Sequence, residues 1–211
     1  MTKSAAKQIA GMLLDIQAVK LNPNQPFRWI SGWNSPIYCD NRLTLSYPKV
    51  RNFIREQFVA LVQEKFAQAE VIAGVATAGI PHGMLLADQL NLPFIYVRSK
   101  PKEHGLNTII EGKLEKNQKV IVIEDLISTG KSSLEVVDTI KEHGGEVLAL
   151  MSIFNYDFEI SRKAFAEKGV SYNYLCDYQT LLVEAVNREL ISENDMASLQ
   201  EWRLSPESWR K

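Results

Sequence analysis

Val120 to Ser133, VIVIEDLISTGKSS, changes character twice within a short stretch. Four β-branched residues in a row, Val120 to Ile123, suit a strand buried on both faces, and such strands belong to parallel sheets covered by helices. Two adjacent acids follow, Glu124 and Asp125, and after Leu126 and Ile127 a Ser-Thr-Gly-Lys-Ser run opens what reads as a helix. A strand feeding a helix in this way commits the chain to an α/β architecture. The flanking sequence keeps the same rhythm. VIAGV (71–75), PFIYV (93–97) and EVLALMSIF (146–154) read as further strands, and PHGMLLADQL (81–90) and SSLEVVDTIKEHG (132–144) as helices between them. The expected fold class is therefore α/β, a parallel sheet flanked by helices.

The chain's two ends read differently. Ile9, Met12, Leu13 and Ile16 recur at helical spacing and predict an amphipathic helix that ends near Val19 to Lys20. From Asn22 to Ser46, Pro23, Pro26, Gly32 and Pro36 interrupt short apolar pieces, which predicts small antiparallel strands forming a hood. Val50, Phe53, Ile54, Phe58, Leu61, Val62 and Phe66 carry a helical stripe from Pro48 through Ala67. After Phe158 a helix, the strand-like VSYNYL and one or two terminal helices are expected. A length of 211 residues suits a single domain, with hood elements over about 1–46, an α/β core over about 47–175 and C-terminal helices over 176–211. The 24 basic and 25 acidic side chains leave a net charge of -1, so no global field favours nucleic acid or an anionic membrane, and any anion site must be local. No apolar run approaches the roughly 20 residues of a membrane span. Asp15 and Gln17 interrupt the N-terminal apolar stretch, unlike a signal peptide. Cys39 and Cys176 stand far apart without the paired spacing of a zinc site, and a reducing, cytoplasmic compartment is the expectation. No protein-built metal site is read.

In open sheets of this kind ligands bind beyond the carboxyl ends of the strands. Gly130, Lys131 and Ser132 spell the end of a nucleotide-binding Walker A loop, but Asp125 occupies the position where that loop needs its first glycine. A different ligand fits better. Backbone amides from Ser128 to Ser132 and the positive end of the following helix suit a monophosphate. Glu124 and Asp125 suit two neighbouring sugar hydroxyls, and together the features describe a ribose 5-phosphate. Each residue alone fits a solvated strand end and a helix cap; the ordered combination does not.

The ordered motif from Val120 through Ser132 resembles the phosphoribosyl-diphosphate motif of the type I phosphoribosyltransferases. The resemblance implies donor binding by Glu124, Asp125, Leu126, Ile127, Ser128, Thr129, Gly130, Lys131 and Ser132, and a diphosphate loop at Ala76 to Gly79 with the Thr77 hydroxyl. VRSKPKEHG (97–105) is similar to the mobile catalytic loop of the orotate phosphoribosyltransferases through Arg98, Lys102, His104 and Gly105, with Ser99 where the family often has Lys and Lys100 beside it. The segment from Phe27 to Asp40, FRWISGWNSPIYCD, is similar to that family's base-binding segment through Ser31, Gly32, Ser35, Pro36, Tyr38 and Asp40. The implied orotate contacts are Ser128, Tyr38 stacking on the pyrimidine, Ser31, and Arg28 in place of the Lys that Ile30 replaces. Tyr156 stands where many members carry an Arg, and Ala78 where some carry a Lys.

Taken together, the resemblance implies a single domain of type I phosphoribosyltransferase-like fold that moves the phosphoribosyl group of phosphoribosyl diphosphate to orotate. It also implies Mg2+ on the diphosphate, and a homodimer in which Lys102 and His104 complete the neighbouring subunit's site. The catalytic expectation falls on Lys102, His104, Glu124 and Asp125. A purine phosphoribosyltransferase and a non-enzymatic sensor of phosphoribosyl diphosphate are the rival readings.

Overall fold

The structure, a computed structural model, describes residues 2–29, 32–98 and 109–210. Helix α1 (Lys3–Asp15) begins where the Thr2 hydroxyl accepts from the Ala5 amide at 3.2 Å, and it buries Ile9, Ala10 and Leu13. It stops short of Val19, where the hydrophobic pattern had carried it. Gln17 turns the chain at φ 56°, and Val19–Leu21 becomes strand β1, whose β-branched first residue is buried.

The strands β2 (Phe27–Arg28), β3 (Asn34–Ser35) and β4 (Ile37–Cys39) follow. β1 pairs antiparallel with β4, and β2 with β3, so the expected hood is made of two small ribbons. A 3-10 helix over Asn41–Ser46 is capped by the Asp40 carboxylate, which accepts from the Arg42 amide. Helix α2 (Pro48–Lys65) starts on its proline and buries Val50, Ile54, Phe58, Leu61 and Val62.

The remaining elements alternate as read. They are β5 (Val71–Val75), α3 (Gly79–Leu90), β6 (Phe94–Val97), β7 (Ile110–Glu111), β8 (Lys119–Ile127), α4 (Lys131–Glu142), β9 (Glu146–Asn155), α5 (Glu159–Glu167), β10 (Tyr172–Asp177), α6 (Tyr178–Asn187) and α7 (Glu193–Leu204). Among the described residues the main sheet has the order β10-β9-β8-β5-β6-β7. All its pairs are parallel except β6 with the short edge strand β7, which the sequence pattern did not disclose.

Both faces are covered, so side chains alternate between two cores. Ile72, Ile121, Ile123 and Met151 join the layer containing α1, α2 and α6, while Val71, Val120, Val122 and Leu150 join Val137, Ile140 and Phe165 on the α4 and α5 side. Val120 to Ile123 are fully buried, and each such side chain contributes about 1.5–3 kcal/mol of transfer free energy.

From β5 the chain moves outward to β6, then returns to place β8 on the other side of β5. The strand order therefore reverses between β5 and β8, and the crevice at such a switch point is where open α/β sheets bind ligands. Gly79 lets the start of α3 close onto β8: a Cβ there would collide with the Ile123 carbonyl oxygen.

Candidate active site

The tip of β8 carries the two acids into this crevice. Glu124 is buried on the α4 side, where its Oε1 accepts from the Asp125 amide at 3.0 Å and its Oε2 from the Ser133 hydroxyl at 3.2 Å. Desolvation first, and the neighbouring Asp125 charge second, push the Glu124 carboxyl well above the usual carboxylate range. Burial raises Asp125 as well, opposed by hydrogen bonding from Glu124 and by the Arg42 guanidinium. The pair is thus short of positive charge. A cationic ligand group, or positive charge developing on a sugar ring, favours the ionised form of both carboxyls.

Beyond the acids, Ser128 and Thr129 are half-buried, and Gly130 caps α4 at φ 80°. A Cβ at Gly130 would lie 2.7 Å from Phe165 Cε2, so both the backbone angle and the space demand glycine. The N-terminus of α4 then faces the loop with the partial positive charge that favours a phosphate. Lys131 and Ser132 are exposed in its first turn. Ile127 differs from its neighbours. Its side chain is buried in the core and its carbonyl oxygen accepts from the Tyr156 amide at 3.0 Å, so it supports the loop from beneath.

Next to Ser128 and Thr129 opens a cleft of about 510 Å³. Tyr38, Trp29, Trp33 and Tyr156 supply aromatic wall, Arg28 and Cys39 stand at its hood side, and Leu126 lines it from β8. Tyr38 is 42% exposed, with its ring 5.8 Å from Phe27, so it is available to stack on a planar base. Arg28 is exposed at the cleft, where a guanidinium can meet a carboxylate. Ser31 and Ile30 lie outside the described residues.

Tyr156, expected from the resemblance to stand where many members carry an Arg, brings no charge to the cleft. It is buried and stacks on Phe158 at 5.3 Å and 3°, with Trp29 at 5.2 Å, Phe154 at 5.2 Å and Trp202 at 5.8 Å around it. Burial lifts its hydroxyl far above the ordinary phenol range, so it enters the site neutral. Trp202 Nε1 donates to Asn34 O at 3.0 Å, which fastens the hood to α7, and Trp29 Nε1 donates to Ile37 O at 3.1 Å, which ties Trp29 to β4 within the hood.

On the β5 side, the Ala76–Thr77 peptide is cis and Thr77 is exposed ahead of α3, where its hydroxyl can reach a ligand. Arg98 closes a neck at the end of β6. Its amide donates to Ile109 O at 2.9 Å, and its guanidinium lies 3.4 Å from Glu111. Lys102, His104, Ser99, Lys100 and Gly105 fall outside the described residues. Asp40 is engaged bidentately by Arg42, at 2.6 and 2.9 Å, which holds its carboxyl below the usual range and leaves it a capping role.

The sequence reading did not single out Trp29, Trp33, Asn41 or His82. Trp29 and Trp33 were within the quoted hood segment, and their spacing could have marked a cleft wall. Asn41 Nδ2 donates to the Asp125 carbonyl oxygen at 2.7 Å, a contact that no local pattern announces.

The sheet reversal, the acid pair at the tip of β8 and the glycine-capped phosphate loop define a phosphoribosyl transferase domain, and that family matches residues 47–172. At full length the chain is 51% identical over 205 residues to the orotate phosphoribosyltransferase of Cytophaga hutchinsonii, covering 97% of this chain and 98% of the relative. It is 50% identical to that of Listeria innocua, covering 99% of this chain and 100% of the relative. The crystal structure of orotate phosphoribosyltransferase from Aeropyrum pernix, 24% identical, superposes with a TM-score of 0.75 over 87% of this chain and 99% of its own, which shows the shared fold. The chain belongs to the orotate phosphoribosyltransferase family.

Proposed function

We infer that the chain transfers the 5-phosphoribosyl group of phosphoribosyl diphosphate to orotate, giving orotidine 5'-monophosphate and diphosphate, a step of pyrimidine biosynthesis. One observation carries the reading. Ser128 and Thr129 belong both to the phosphate loop and to the wall of the aromatic cleft, so a ribose held at the β8 tip presents its anomeric carbon toward a base stacked on Tyr38. Arg28 offers the cleft a charge suited to the orotate carboxylate. Likeness to the orotate relatives through the hood as well as the core disfavours a purine base, since the hood supplies the base wall.

The proposed mechanism assigns these residues the following roles. As the bond between anomeric carbon and diphosphate lengthens, positive charge grows on the ribose ring, and Asp125 and Glu124 stabilise it from the strand tip. Lys102, with Arg98 and His104, neutralises the departing diphosphate. Closure of their loop excludes water, which otherwise competes with the base. One buried and one half-buried carboxyl short of positive charge fit a hard dication. Among the described residues no three His, Cys, Asp or Glu side chains cluster as a metal cage, so Mg2+ would be held mainly by substrate oxygens and water beside Asp125 and Glu124. That ion would neutralise the diphosphate and orient the ribose hydroxyls. The reading also takes in a homodimer that shares its loops and a cytoplasmic location; no helix among the described residues is long and apolar enough to cross a membrane.

The test is a spectrophotometric assay with phosphoribosyl diphosphate, Mg2+ and each of orotate, uracil, adenine, hypoxanthine and xanthine. Consumption of orotate alone is expected. Turnover of a purine instead overturns the base assignment, and donor binding without any turnover overturns the enzyme.

A further inference from the structure

Asn41 is fully buried at the start of the 3-10 helix, two positions beyond the cleft-lining Cys39. Its bond to the Asp125 carbonyl oxygen has a structural cause. β5 ends its pairing with β8 at Gly74↔Ile123, so the β5-facing edge of β8 has no strand partner past that point, and a partly buried carbonyl there needs a donor from elsewhere. Asn41 Nδ2 supplies it at 2.7 Å, while Cys39 Sγ lies 3.4 Å from Asn41 Oδ1.

The other end of Asn41 is clamped too. Its carbonyl oxygen accepts from the Thr44 hydroxyl at 2.6 Å, and Thr44 Oγ1 lies 3.3 Å from Nε2 of His82 on α3. The Thr44 proton is committed to Asn41, so the Thr44 oxygen must accept from His82, which fixes the proton of the imidazole on Nε2. His82 is buried, and desolvation lowers its pKa to about 4, which keeps the ring neutral near pH 7. A polar chain therefore runs from the base-cleft strand β4, through Asn41, to the peptide of Asp125 and to the helix that follows the diphosphate loop.

We propose that Asn41 is a positioning residue for phosphoribosyl transfer: it ties the peptide of Asp125 to β4, so that the acid beneath the sugar and the wall that holds the base keep one fixed separation. The proposal rests on the functional reading above. Asn41 touches neither substrate; it acts through Asp125.

The test is a double-mutant cycle read as kcat and as the KM for each substrate. Asn41→Ala is expected to lower kcat at least tenfold, with the KM for orotate within threefold of wild type. In the double variant Asn41→Ala/Asp125→Asn the activity should equal that of Asp125→Asn alone within twofold, because one lesion already removes what the other positions. Thr44→Val frees the Asn41 carbonyl oxygen while leaving the Asn41 side chain intact, and covers the case in which Asn41→Ala does not fold. It is expected to lower kcat threefold to tenfold, again without multiplying the Asp125→Asn defect. An unchanged kcat in the folded single variants, or defects that multiply in the double variants, overturns the positioning role. Absence of orotate turnover in the wild-type protein overturns instead the functional reading on which it stands.

Discussion

Asp125 and Glu124 sit where the fold pays a stability cost for chemistry. Their carboxyls are raised by burial, so whatever stability the protonated forms contribute is fully present below the unfolded carboxyl pKa of about 4 and is lost as pH rises through the folded values. His82 acts in the opposite sense. Its folded pKa of about 4 lies below the unfolded value of about 6.5, so its contribution is full above the latter and is lost as pH falls toward the former. Above pH 7 only the acids of this set still oppose folding. Ligand-free Asp125→Asn should therefore melt higher than wild type at pH 8, with the gap narrowing toward pH 5, while its kcat falls by about 10²-fold. Thermal denaturation across that range, beside a kinetic assay, checks both halves; a lower melting temperature at pH 8 would refute the electrostatic account. Gly130→Ala forces φ 80° on a residue with a Cβ and drives that atom against Phe165. A loss of about 1–3 kcal/mol in urea unfolding and weaker donor binding are expected. Of these residues the acids and Gly130 were legible because their motif is contiguous. Asn41 and His82 were not, because their meaning comes from partners 84 and 38 positions away in the chain.

At the level of elements, the buried strands announced themselves through β-branched runs, and the phosphate loop through its order of residue types. The hood was legible as broken structure but not as paired ribbons. β1 was absorbed into the preceding helix because Val19 continues an apolar pattern that the turn at Gln17 interrupts. Most hidden was α7. Its stripe is weak, and nothing local says that Trp202 reaches the hood. In the structure Trp202 is fully buried, 5.5 Å from Trp29, 5.4 Å from Phe158 and 5.6 Å from Tyr178, and bonded to Asn34. This cluster gives the uncharged Tyr156 its role: its ring supports the wall that Trp29 presents to the cleft. Trp202→Ala is expected to cost about 3–5 kcal/mol in chemical denaturation and to raise the KM for orotate more than that for phosphoribosyl diphosphate. Trp202→Phe retains most of the apolar contact, loses the bond to Asn34, and should cost about 1 kcal/mol. Equal effects on the two KM values would separate α7 from the base wall.

For the whole molecule, the question is where the cations of residues 98–104 act. Arg98 follows β6, one strand beyond β5 from the crevice, and its amide bond to Ile109 closes the neck of the excursion at the sheet's edge. In the proposed homodimer, two-fold symmetry would make the lending of Lys102 and His104 reciprocal, each subunit completing its partner's site. Lys102→Ala disables the loop a subunit lends, and Asp125→Asn disables the strand tip it keeps. In a heterodimer of the two variants, loops acting across the interface put both lesions into one site and leave the other wholly wild type. Random co-assembly of equal amounts makes half the dimers mixed, so about a quarter of wild-type activity should return. Loops acting within their own chain leave every site damaged. Co-expression with two affinity tags, tandem purification of the mixed dimer and a kinetic assay decide the matter. The purified heterodimer should show about half of wild-type activity per dimer, with wild-type KM values, because its one active site is chemically unaltered; no recovery in that preparation would place Lys102 over its own subunit's β8 tip.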